Sequence, residues 1–171
     1  WFEEVYREAS TAAKRIEQVL ARGDRHFTSR VFIKEARDLV GPLPEVMAEA
    51  LQGQSISHDH SVECSFDENS NQFRVERVGA KSAIGRVWGT YTSSHPCQSD
   101  GSYGDQVNAT YHDVLRSNKP RYDHVLAALR LPDNALHWVP YHRVVYPRVD
   151  ANGKRGVAVI SQIAKVDIQV L

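Results

Sequence analysis

The chain has 171 residues, 42% of them apolar and 25% charged, enough for one well-buried domain plus an appendage and short for two. Lys plus Arg and Asp plus Glu both number 21, so no basic excess points to nucleic acid and no block of like charge marks a tail. No apolar run approaches the length that spans a bilayer.

The first residue is Trp1 rather than Met, as expected of a trimmed chain, so an upstream signal or membrane segment is left open. Cys64 and Cys97 are the only cysteines, far apart and outside any Cys-x-x-Cys pair. Two reduced thiols in a cytoplasmic protein are expected in preference to a single disulfide.

Residues 1–22 carry the strongest helical pattern. Phe2, Val5, Ala9, Ala12, Ile16 and Val19 alternate at three-four spacing along one seam, and Gly23-Asp24 ends the run. Such a seam either packs on its own domain or pairs two protomers as a short coiled coil. Two further short helices are expected between residues 26 and 54. Val31, Phe32, Ala36, Leu39 and Val40 lie at helical spacing before Gly41-Pro42, and Pro44 starts a run through Val46, Met47, Ala50 and Leu51. Residues 1–54 thus read as a helical N-terminal extension, and 55–171 as the main domain.

Polarity alternates from 55 to 65, which puts His58 and His60 on one face of an expected strand. Two imidazoles on one face, followed by Cys64, form a metal-binding candidate. No fourth ligand stands at a recognisable spacing, so solvent-facing histidines on an edge strand are the simpler expectation. Residues 67–71 make a polar turn. Residues 73–78 alternate as a strand with Phe73, Val75 and Arg77 on one side, and 82–88 reads as the next strand. A polar loop follows over 90–101. Residues 103–117 form a helix that Ser102 or Asp105 can cap, with Val107, Tyr111, Val114 and Leu115 as its apolar face.

The last third predicts a three-stranded antiparallel meander over 121–130, 136–146 and 157–168. Its turns are Pro132-Asp133-Asn134 and Asp150-Ala-Asn-Gly153, where Asn152-Gly153 tolerates positive φ. Here the sequence Trp138-Val-Pro-Tyr-His-Arg-Val-Val-Tyr-Pro147, then Asp150-Ala-Asn-Gly153, Gly156-Val-Ala-Val-Ile160 and Asp167-Ile168 resembles the C-terminal half of a PAS domain. That half has a strand ending in Pro, an Asp-x-x-Gly hairpin, a Gly-led apolar strand and a closing Asp-Ile-Thr, with Gln169 in place of Thr here. The resemblance covers about the last hundred residues, from Phe73 onward. It implies an α/β (α+β) fold, a PAS-like antiparallel sheet with covering helices, and a non-enzymatic sensory or signalling module. Residues 73–78 and 82–88 would be its N-terminal strand pair. The helix at 103–117 would cover a ligand cavity whose other wall is the sheet. A small-molecule ligand or a signalling protein partner is implied, with a homodimer through residues 1–22. That helix and residues 165–171 would be the output elements.

Along strand 136–146, Trp138, His142, Val144 and Tyr146 share one face, while Val139, Tyr141, Arg143 and Val145 share the other. Trp138, His142 and Tyr146 are taken as pocket-facing, together with Tyr111 and Leu115 from the helix; ordinary core packing is the competing explanation. Arg143 is costly to bury alone. It either grips a ligand carboxylate or phosphate, pairs with Glu76 or Asp123, or faces water. The Asn-Cys-Arg-Phe motif of flavin-photoactive PAS relatives is missing, and His112 is the sole counterpart of the helical haem ligand, so neither cofactor is expected. The alternatives are a small enzyme with a His/Asp pair in a sheet–helix cavity and a purely structural dimerisation module. His112-Asp113 and Asp123-His124 are adjacent, but neighbours on a strand point to opposite faces.

Overall fold

The computed structural model describes residues 31–36, 43–95, 101–133, 135–166 and 168. The helical seam of residues 1–22, Cys97, Asp167 and Gln169 lie outside them. Among the described residues six strands form one antiparallel sheet in the order β1-β4-β5-β6-β2-β3. The strands are β1 (Val31–Glu35), β2 (Val62–Asp67), β3 (Gln72–Val78), β4 (Arg121–Arg130), β5 (Leu136–Val149) and β6 (Arg155–Ile163). Helix α1 (Glu45–Leu51) lies against one face of the sheet, and α2 (Ala83–Trp88) and α3 (Gly101–Ser117) against the other. The mixed α/β class expected from the sequence holds.

The meander forms as its turn chemistry dictates. The Asp150 carboxylate accepts from the backbone N–H of Asn152 (2.8 Å) and of Lys154 (2.9 Å), which closes the β5–β6 hairpin. Of the Asn152-Gly153 pair only Gly153 takes positive φ, at 80°. Gly156 stands second in β6 because nothing larger fits: a Cβ there would stand 2.0 Å from the Cys64 carbonyl oxygen of β2.

Two expected elements change type. Residues 31–35 form a strand, not a helix. Val31, Phe32 and Ile33 suit a pleated surface, and β4 offers them an open row of backbone partners, from Val31 opposite Ala127 to Glu35 opposite Asp123. Tertiary pairing overrides the local spacing. Residues 83–88 form a helix, not a strand, because the Ser82 hydroxyl accepts from the Gly85 N–H (2.9 Å) and caps the first turn. Ile84 and Trp88, four apart, then reach the same core.

Three smaller corrections follow. His58 and His60 lie on a short 3-10 turn, His58–His60, and not on one face of a strand. A bulge at Glu63/Cys64 shifts the β2–β3 register, so Val78 turns inward beside Phe73 and Val75 while Arg77 stays exposed. Asp105 lies within α3, which begins at Gly101, and so is not its cap.

Both faces of the sheet are buried. On the α3 face, Val125, Tyr141, Val145, Val157 and Val159 pack against Val107, Tyr111, Val114 and Leu115. On the α1 face, Tyr122, Val144 and Ile160 pack against Met47 and Ala50.

Candidate functional site

The polar groups buried inside this apolar frame mark the candidate site. On the α3 face Arg143 is 1% exposed and Asp123 is fully buried. They stand directly opposite in the β4–β5 register, and Arg143 Nε donates to Asp123 Oδ2 at 3.0 Å. The other carboxylate oxygen accepts from Arg121 Nε at 2.6 Å. Arg121 extends the chain of charges outward, to Asp113 of α3 (3.3 Å) and Glu35 of β1 (3.8 Å).

The rest of the Arg143 guanidinium meets aromatic groups. Its Cζ lies 5.7 Å from the centre of the Tyr111 ring. The hydroxyls of Tyr103 and Tyr141 bond each other at 2.6 Å on the same face. Burial works against the charge on Arg143, but Asp123 and these three tyrosines outweigh it, so the group stays protonated. Among the described residues, Arg143 Nη2 is buried with no hydrogen-bond partner.

The α1 face carries a second polar cluster. The rings of His124 and His142, also opposite in register, stack in parallel at 4.3 Å. His142 Nε2 donates to the Lys165 carbonyl just beyond β6, so Nδ1 accepts from the Tyr122 hydroxyl at 2.8 Å. Burial and then the His124 charge push the His142 pKa down, against the Lys165 hydrogen bond.

The six sequence candidates therefore separate. Tyr111, Leu115 and Arg143 belong to the α3 face; Trp138, His142 and Tyr146 belong to the other. The expected grouping of Trp138, His142 and Tyr146 with the helix is overturned, because α3 covers the odd-numbered side of β5. Trp138 instead stacks on Phe32 of β1 at 5.9 Å, and Tyr146 packs with the α1 cluster. Of the two partners considered for Arg143, Asp123 is the one; Glu76 binds the Ser65 hydroxyl. His58 pairs with the buried Glu63, which also takes Arg148 Nη2 at 3.1 Å. Among the described residues no three His, Cys, Asp or Glu side chains converge as metal ligands. His112 rests edge-on against Phe66 and Phe73.

Tyr103, Tyr141 and Tyr122 are not among the sequence candidates, and His124 enters there only through the Asp123-His124 pair of the enzymatic alternative. The signal was present. Asp123-His124 on one strand and His142-Arg143 on the next are related by a single antiparallel register, which pairs Asp with Arg on one face and His with His on the other.

Beside the charge chain lies a groove of about 670 Å³ between β1 and α3, lined by Val31, Ile33, Gln106, Thr110, Arg121 and Ile168, among others. Among the described residues no helix is long and apolar enough to cross a membrane. Comparison with known protein families, curated proteins and solved structures gives no match.

Proposed function

We propose that this chain is a PAS-like sensory module, without enzymatic activity, that binds a small ligand or protein partner on the α3 face and passes occupancy to its flanking segments. The observation carrying it is the incompletely paired guanidinium of Arg143, buried between a sheet and its covering helix. Small-ligand sites set a few placed polar groups among apolar and aromatic side chains, and the α3 face supplies both. The strand pair ahead of α2 and α3 is β2–β3 rather than 73–78 with 82–88, and a helical cover and a closing meander follow it.

A relay has physical parts here. Arg143, Asp123, Arg121 and Glu35 run as ion pairs from the core to β1, the strand that follows the N-terminal segment. Ile168, beyond β6, lines the same groove as β1 and α3. A ligand that drew Arg143 away from Asp123 would change the pairing of Arg121, and so bias both flanks through unequal affinity for two states. In this reading residues 1–22 pair two copies in a cytoplasmic homodimer.

Hydrogen exchange provides the test. Protein as purified is compared with protein unfolded in guanidinium, freed of small molecules by gel filtration and refolded. A sensor that retains ligand shows faster exchange after stripping in β1 and residues 164–168; identical exchange in both preparations would count against it.

A further inference from the structure

The ligand class can be read from the unpaired edge of Arg143, an inference that rests on the sensory reading above. Among the described residues the Arg143 side chain makes one hydrogen bond, Nε to Asp123, although a guanidinium carries five N–H donors. Its two terminal nitrogens are the pair that accepts a carboxylate in fork geometry, and Nη2 is buried with no hydrogen-bond partner among the described residues. Leaving a buried donor unmet is costly, and a group that brings two oxygens to that edge relieves the cost.

Charge narrows the choice. Asp123 offers one negative charge and divides it between Arg143 and Arg121, one oxygen to each. Arg121 is met in addition by Asp113 and Glu35, so what the terminal edge of Arg143 lacks is acceptor oxygens, and a monoanion supplies two of them with the least added charge. A dianion would overshoot at a position this deep. The surroundings narrow it further: Tyr103, Tyr111 and Tyr141 wall this face with rings as well as hydroxyls, which suits a short apolar or aromatic body behind the charged head. The β1–α3 groove is lined by Arg121, which shares the Asp123 carboxylate with Arg143.

We infer that Arg143 is the anchor for a small organic monocarboxylate, held by its terminal N–H fork against the tyrosines beneath α3.

The full chain would be followed by thermal unfolding while sodium formate, acetate, butyrate or benzoate is added, against sodium chloride at equal ionic strength. At least one carboxylate should raise the Tm saturably in the wild type. Arg143→Lys keeps the charge but loses the fork, and should weaken the apparent affinity by about tenfold or more. Arg143→Met, close in shape and with Asp123 still held by Arg121, should abolish saturation. Absence of a saturable rise with every carboxylate, an unchanged response in both variants, or an equal response to inorganic phosphate would overturn the assignment. Should Arg143→Met not fold, the lysine variant decides. A copurified neutral ligand whose binding ignores Arg143→Lys would sink the carboxylate assignment and leave the sensory reading standing; no ligand of any kind removes both.

Discussion

Arg143 and Asp123 show how unequal the two ends of a buried ion pair are. Asp123 holds two arginines, so removing Arg143 leaves the carboxylate with Arg121. Removing Asp123 leaves the Arg143 charge fully buried with nothing opposite. Removing one partner of a buried pair costs roughly 3–5 kcal/mol when the charge left behind is uncompensated, and Asp123, unlike Arg143, keeps a second ion-pair partner. Urea unfolding should therefore find Asp123→Ala destabilised by about 3 kcal/mol or more, and Arg143→Met by much less. Equal losses in the two variants would mean that Arg121 does not support Asp123 in the way the distances indicate. The pairing of these residues was legible in outline, since Asp123 was one of two partners considered for Arg143. The tyrosines around them were not, because nothing in a sequence distinguishes a tyrosine that borders a buried charge from one that fills a core.

At the scale of elements, the meander and α3 could be read directly, because their turns and periodicity are local signals. The strand β1 and the helix α2 could not. One takes its conformation from the open edge of β4, and the other from a serine cap whose effect competes with β-branched neighbours. The inward face of β5 was unreadable for a related reason: α3 covers one side and α1 the other, so both alternating sets are apolar and neither stands out. Burial also traps titratable groups, on the sheet and in the turn that ends at His95. Burial lowers the pKa of His95 to about 4, and burial with His124 lowers that of His142, which holds the Lys165 carbonyl and is faced by Tyr122 and His124. Both are depressed below the ordinary histidine value near 6.5. The unfolded chain therefore takes up protons first as pH falls. Their contribution is complete above about pH 6.5 and drains away through the folded values below it. Asp67, Asp133 and Asp150, held low by local hydrogen bonds, act only in a lower window, below their ordinary value of 3.8. Unfolding free energies should thus fall between about pH 7.5 and about pH 5, with His95 alone contributing on the order of 2 kcal/mol. His142→Gln should flatten part of that slope. A stability that stays level down to pH 5 would show that these imidazoles are not desolvated as described.

At the scale of the whole molecule, among the described residues, the sheet with both faces covered holds a buried ion pair bordered by tyrosines, and Arg121 links that pair to a groove lined by β1 and Ile168. Local sequence signals do not report this convergence, since it depends on the register that brings β4 and β5 together and on which helix covers which face. Function therefore hangs on whether the α3 face is a binding site or a finished core. Native mass spectrometry of the full chain as purified, run beside Arg143→Met, asks this most directly. A wild-type protein carrying extra mass that departs on denaturation, and a variant without it, is the result expected of a ligand anchored at Arg143. A wild-type spectrum at the bare protein mass, or the same added mass on both proteins, would contradict it.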